Sequence, residues 1–290
     1  IPAQELAVAA QELTGVDSSL IWQGIKSGIA DKRLIDNAGE IYHPDLYRAE
    51  RLVAEKLQAL ASSHHNVMMQ ELSKQDISEM DQDQLAALMM ACKSKVCVIT
   101  GGPGTGKTYT IRKILQAIGD RTIALAAPTG KAAKRMAEMT GIQASTIHRL
   151  LGFDPIMGEF FHNKENPLEF ETLVIDETSM IDIRLMESLM NAVTLNTQII
   201  FVGDVDQLPS VGPGRVLADM IDSGAIPVAR LQTLHRQAAE SLINVNARAI
   251  NRGAKITVRN AEGDNLWFIT EEDPTEIAES IKKLIRIIPE

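Results

Sequence analysis

The sequence predicts an α/β fold, a parallel sheet with helices on both faces, and three observations carry that prediction. Short apolar runs at residues 96–100, 122–126, Thr172–Ile175 and 198–202 alternate with helical stretches, the order that parallel strands and crossover helices require. The runs are apolar throughout rather than alternating, as strands buried on both faces are. Each ends where polar residues begin, and the carboxyl edge of an open α/β sheet is where ligands bind.

The 290 residues allow one large or two modest domains, each with a full core. Ahead of the sheet, residues 6–13 carry helical periodicity, and Asp17 is placed to cap a second helix from residue 18 to about 26. Residues 33–42 read as two short strands around an Asn37-Ala38-Gly39 turn, and a long helix runs from about 44 to 61. This order predicts a winged-helix-like module, mostly helical, over residues 1–72. A small helical domain packed on its neighbour fits the same pattern. Residues 73–240 hold the sheet. Over 241–290 the reading changes: a strand at 265–270, then an amphipathic helix opened by Asp273-Pro274, with Ile277, Ile281, Leu284, Ile285 and Ile288 on one face. That face needs a core, so this region reads as the start of a further lobe.

Composition narrows the setting. The net charge of −9 argues against a protein that is basic all over, while leaving room for a local basic groove. Cys92 and Cys97 form no disulfide framework or metal-ligand spacing, which predicts a reducing, cytoplasmic location. No signal peptide or bilayer-spanning run is present, so no membrane association is expected. The chain opens Ile1-Pro2, without methionine, which predicts a piece of a longer protein.

Residues 101–108, Gly-Gly-Pro-Gly-Thr-Gly-Lys-Thr, complete the pattern G-x-x-x-x-G-K-[ST] between a strand and a helix. Strand, glycine loop and helix aim backbone N–H groups and a helix N-terminus at one point, which suits a polyphosphate. The predicted nucleotide site is Gly102, Pro103, Gly104, Thr105 and Gly106, with Lys107, Thr108 and Tyr109 at the helix start. Lys107 reaches the β- and γ-phosphates, and the Thr108 hydroxyl ligates Mg²⁺.

Asp176-Glu177 closes a later apolar strand. Asp176 is expected to hold Mg²⁺ and Glu177 to polarise the water attacking the γ-phosphate. After the next strand, the Gln207 amide can donate to that phosphate and accept from the water. Arg236 lies beyond, where a guanidinium could clamp the transferring group or be an ordinary surface arginine. Pro128, Thr129, Gly130 and Lys131 bring a hydroxyl, backbone amides and positive charge to a helix start, a combination suited to nucleic-acid phosphates. Thr146 and His148 could serve likewise, although a lone histidine is more often a satisfied buried one.

These segments, in this order, resemble the motor of superfamily 1 helicases, most closely the RecD-like 5′-to-3′ DNA helicases. The matching residues are 101–108, 128–135, 146–148, 173–180, 203–214 and 234–237. The resemblance implies a RecA-like lobe, ATP and Mg²⁺ as cofactors, and single-stranded DNA as the track. It implies that Gln84, in Gln84-Leu85-Ala86-Ala87, reads the adenine, that Arg236 is an arginine finger and that His148 contacts DNA. It also implies a second RecA-like lobe, and no trace of that lobe's later motifs precedes Glu290. The expected parent is therefore an ATP-dependent 5′-to-3′ translocase and helicase of the DNA-repair, exodeoxyribonuclease V α-subunit type. This piece is expected to bind ATP·Mg²⁺ and to unwind nothing alone, with a possible protein partner on residues 1–72. A superfamily 1 RNA helicase and a nucleotide-dependent loading module without motor activity are the alternatives.

Overall fold

The computed structural model describes residues 1–63, 74–119, 121–233, 241–258 and 265–287, and the chain divides into two compact units, Ile1–Thr233 and Leu234–Glu290. The first unit begins with helices α1 (Ala3–Thr14) and α2 (Ser18–Ala30), a hairpin of β1 (Ile35–Asn37) and β2 (Glu40–Tyr42), and the long helix α3 (Pro44–Ser62). Asp17 caps α2 as expected, accepting from the Ser19 N–H at 2.8 Å. Ala7, Ile25 and Ile41 form a small core of their own, with Leu6, Ile21, Trp22 and Leu34 packed around them.

Helix α3 faces elsewhere. Its Ala49, Val53, Leu57 and Leu60 enter the main core, against Ile183, Met186 and Met190 of a later helix. The apolar stripe of α3 is legible in the sequence, but its partner lies more than a hundred residues away.

The hairpin turn carries local strain. Ala38 and Gly39 both have positive φ, +55° and +88°, the geometry of a two-residue turn that favours Asn-Gly. Ala38 is exposed and pays the cost of a Cβ in the left-handed region. Ala38→Asn should raise unfolding free energy by about 0.5–1 kcal/mol, read as a higher urea midpoint at unchanged slope.

After helices α4 (Lys74–Glu79) and α5 (Gln82–Lys93), the sheet strands are β3 (Val96–Gly101), β4 (Ile123–Ala127), β5 (Ala144–Thr146), β8 (Thr172–Ile175), β9 (Gln198–Gly203) and β10 (Val228–Leu231). Helices α6 (Lys107–Ile118), α7 (Gly130–Thr140), α8 (Ile147–Leu150), α9 (Ile183–Ala192) and α10 (Val216–Asp222) connect them. The spatial order is β10-β3-β9-β8-β4-β5, every pairing parallel. Along β3, Val96 and Val98 enter one core and Cys97 and Ile99 the other, as the two-residue period of a strand dictates. α3, α9 and α10 cover the first face, while α5, α6 and α7 cover the second. The α/β fold with helices on both faces is thus the observed one.

Strands β5 and β10 were not foreseen, nor was a small hairpin of β6 (Phe153–Asp154) and β7 (Glu159–Phe160). The second unit contains helices α11 (Leu242–Asn251) and α12 (Pro274–Ile287). Asp273 caps α12, accepting from the Thr275 N–H at 2.7 Å. The strand expected at 265–270 is absent: residues 266–270 take no strand conformation, because a short apolar run makes a strand only where a ladder receives it. The Ile288 of the expected apolar face lies outside the described residues.

Candidate functional site

Gly104 and Gly106 of the loop have φ of +76° and +81°, a region closed to most side chains. Gly101 is required for a different reason. A Cβ there would stand 2.7 Å from the Leu231 carbonyl oxygen and 2.7 Å from Thr105 Oγ1, so only glycine lets β10 and the loop close together. The Thr105 hydroxyl ties the loop back on itself, donating to the Gly102 carbonyl at 2.8 Å. Helix α6 starts with no side-chain cap, leaving its first N–H groups directed at the loop's concavity. The Lys107 ammonium is folded into the loop, donating to the carbonyls of Gly101 at 2.6 Å and Gly102 at 3.2 Å.

Tyr109 and Lys113, on α6, fasten α4 behind the loop. Lys113 pairs with Asp76, whose hydrogen bond holds the ammonium above its ordinary pKa. Tyr109 donates its hydroxyl to Glu79 at 3.4 Å, and its ring lies 5.4 Å from the Arg112 guanidinium and 5.2 Å from the Lys113 ammonium. Gln84 is 1% exposed and closes a capping box at the start of α5. Its Oε1 accepts from the Asp81 N–H at 3.2 Å, and its N–H donates to Asp81 Oδ1 at 2.9 Å.

Two strands away, β8 delivers the carboxylates. The Asp176 N–H donates to the Ala126 carbonyl at 2.9 Å, extending the β4–β8 pairing by one residue. The chain then turns through Glu177, at φ +53° and ψ +41°. A left-handed conformation in a glutamate stores roughly 1–3 kcal/mol of strain, and it sends Glu177 back toward the sheet edge. Burial raises the pKa of Asp176, against the Glu177 N–H and the charges of Lys107 and Arg135. Burial raises that of Glu177 too, the Asp176 charge adding to it. Glu177 Oε2 is sealed from solvent with no hydrogen-bond partner among the described residues.

Between these strands, β9 ends in Gly203-Asp204. Asp204 is 2% exposed and accepts from the Asp206 N–H at 3.1 Å and from Gln207 Nε2 at 3.3 Å. The sequence signal for Asp204 was its place directly after a buried strand, but its role as the resting partner of Gln207 required coordinates. The following loop is anchored on α9 by the Ile183 N–H, which donates to the Pro213 carbonyl at 2.9 Å. Gly212 is needed there, since a Cβ would fall 2.1 Å from Asp182 Oδ2.

The strand order therefore sorts the predicted residues. Lys107 follows β3, Asp204 and Gln207 follow β9, and Asp176 and Glu177 follow β8, on three adjacent strands. The residues expected at nucleic acid follow β4 and β5, on the far side of the same edge. There Pro128 precedes Thr129, which caps α7 by accepting from the Ala132 N–H at 3.2 Å, with Gly130 and Lys131 exposed. Thr146 caps α8, accepting from the Arg149 N–H at 3.2 Å. His148 is exposed, so the buried-histidine reading is overturned. Its ring lies 5.5 Å from that of Phe153 and 5.8 Å from that of Phe160, on the unforeseen hairpin. Arg236 lies outside the described residues.

A family described as an AAA domain matches residues 84–213, a span that holds every motif from the capping glutamine to the loop after β9. A RecBCD enzyme subunit RecD of Mycolicibacterium smegmatis is 36% identical over 269 residues, covering 82% of this chain and 48% of the relative. The ATP-dependent RecD2 DNA helicase of Deinococcus radiodurans is 33% identical over 294 residues, covering 98% of this chain and 38% of the relative. The resemblance to RecD-like superfamily 1 helicases is borne out. The chain spans less than half the length of these two relatives. Among solved structures, a Pif1 helicase from Candida albicans is 21% identical, covering 72% of this chain and 55% of that one, with a TM-score of 0.42. Among the described residues no helix is long and apolar enough to cross a membrane.

The residues of this sheet edge fit a polyphosphate with a hard divalent cation. The glycine loop offers backbone N–H groups, and two carboxylates, Asp176 and Glu177, are held by burial above their ordinary pKa at the same edge, where a cation would favour their ionised forms. Asp176→Asn removes one of them at constant shape. Because the ionised form is the disfavoured one, the exchange should raise the melting temperature of the nucleotide-free protein by roughly 2–4 °C while abolishing Mg²⁺-dependent turnover. A lowered melting temperature would contradict this account of the charge.

Proposed function

We propose that this chain is the first motor lobe, with an accessory N-terminal module, of an ATP-dependent DNA helicase moving 5′ to 3′ along single strands. The observation that carries the reading is the meeting of Lys107, Glu177 and Gln207 on adjacent strands of one sheet edge. A binding module alone has no use for a strained, buried glutamate beside a phosphate loop. Residues 1–72, 73–240 and 241–290 are proposed as the accessory module, the motor lobe and the beginning of the second lobe.

Thr108 and Asp176 would hold Mg²⁺, which when bound neutralises charge on phosphate oxygens. The remaining roles belong to side chains. Lys107 leaves the carbonyls of Gly101 and Gly102 for the phosphates as a point charge. Glu177 accepts the proton of the attacking water through the Oε2 that has no hydrogen-bond partner among the described residues. The Gln207 amide leaves Asp204 to donate to the γ-phosphate, and Arg236 clamps the transferring group. Support for adenine reading by Gln84 is the resemblance alone, since the structure uses its side chain to cap α5.

Thr129, Gly130, Lys131, Thr146 and His148 would hold the phosphodiester track, without regard to base identity. The protein would act in the cytoplasm, and residues 1–72 would offer a surface to a protein partner.

The test is steady-state ATP hydrolysis with no strand, with single-stranded DNA and with RNA of equal length. DNA should stimulate turnover and RNA should not. Equal stimulation would favour an RNA helicase. Binding of ATP with no stimulation by either would favour a loading module.

A further inference from the structure

Ser179 is a buried polar group that nothing so far explains. It lies in the 3-10 turn Thr178–Met180, directly after Asp176-Glu177. Its Oγ is sealed from solvent and has no hydrogen-bond partner among the described residues. An orphaned buried hydroxyl is destabilising and rare in native proteins. The turn is pressed against the end of β9, where a Cβ on Gly203 would stand 3.4 Å from the Ser179 backbone nitrogen. Ser179 also lines a cavity of about 210 Å³ together with Val205, Gln207, Pro209 and Arg215. Ser179 and Gln207 therefore border one space, while Gln207 Nε2 is engaged at rest by Asp204 Oδ2 at 3.3 Å.

We propose that Ser179 is a positioning residue for Gln207: its hydroxyl donates to Gln207 Oε1 once the amide has left Asp204. The inference rests on the reading of this edge as an ATPase site. An amide oxygen has two lone pairs and an amide nitrogen two hydrogens. With one lone pair held by Ser179, the other accepts from the attacking water, and Nε2 is turned toward the phosphate. Ser179 thus fixes which end of the amide faces the phosphate, a choice that Gln207, which is exposed, could not hold alone. The Ser179 hydroxyl has no partner at rest because its partner is parked on Asp204.

The test is Ser179→Ala, Ser179→Thr and Gln207→Ala, singly and as the Ser179→Ala/Gln207→Ala pair. The readouts are basal ATP turnover without DNA, affinity for a fluorescent ATP analogue, and melting temperature. Removing an unpartnered hydroxyl should leave the melting temperature unchanged or raised. The kcat should nevertheless fall about tenfold, the equivalent of one hydrogen bond made only in the transition state, with KM and analogue affinity unchanged. Ser179→Thr should restore kcat. On the Gln207→Ala background, Ser179→Ala should cost nothing further. An unchanged kcat in Ser179→Ala, or an equal loss on both backgrounds, overturns the proposal. Because turnover is measured without DNA, lack of strand stimulation in the parent protein would count against the motor reading alone. A parent with no ATP turnover would overturn both.

Discussion

Glu177→Gln should lower the rate of ATP hydrolysis by about 10²–10⁴-fold, the usual cost of losing a general base, while nucleotide affinity holds or rises. The substitution keeps volume and shape, so the left-handed turn at φ +53° is as strained after the change as before. What disappears is a buried charge with one oxygen that has no hydrogen-bond partner among the described residues, together with its repulsion of Asp176. A purely structural role would show the reverse pattern, with stability lost and turnover kept. Turnover and titration with a fluorescent ATP analogue separate the two. A variant hydrolysing ATP within a few-fold of the parent rate would remove Glu177 from the mechanism.

The parts of this site legible in the sequence are those in which local chemistry and fold coincide. The phosphate loop is one, because Gly104 and Gly106 answer local backbone demands and Lys107 opens a helix whose apolar spacing is visible. Asp176-Glu177 is another, since a four-residue apolar strand ending in two acids has few other uses. What stayed hidden was decided by distant partners. β5 consists of Ala144, Ser145 and Thr146, residues with little apolar surface, and it is a strand only because β4 pairs with it. The hairpin at 153–160 has no strong turn signal, and His148 reads as exposed only once Phe153 and Phe160 are known to stand beside it. Gln84 has a local use that the sequence reading did not include: its side chain closes the capping box of α5. At 265–270, local pattern alone suggested a strand that the structure does not form.

The order of strands separates the two groups of residues that the proposed function assigns to nucleotide and to nucleic acid. β9 and β8 lie between β3 and β4, so the crossover from the phosphate loop to the Thr129 segment must pass over both. Asp176 stands at the boundary, bonded through its N–H to the last residues of β4. Under the proposed function, a shift of the Thr129 segment would move the backbone that carries Asp176 and Glu177. That mechanical link asks nothing of side chains reaching across the edge.

Lys107→Ala should weaken ATP binding and lower turnover together, and the direction of its stability effect makes the prediction specific to this structure. A charge-assisted hydrogen bond contributes about 1.5–3 kcal/mol, so losing the ammonium from the phosphates should weaken ATP binding by roughly 10–100-fold. Turnover should fall by a further 10²–10³ or about that, as when one preorganised donor is removed from a transition state. At rest the same ammonium satisfies the carbonyls of Gly101 and Gly102 and moderates the charge on Asp176 and Glu177. Its loss should therefore lower the melting temperature of the nucleotide-free protein, where Asp176→Asn raises it. Two charge deletions at one site, opposite in sign and opposite in effect, distinguish a loop poised around an absent polyphosphate from a glycine turn that merely packs. Thermal unfolding of both variants, with and without ATP·Mg²⁺, measures the difference. Parallel shifts of the two variants would mean that Lys107 and Asp176 do not share a field, and the site would have to be redrawn.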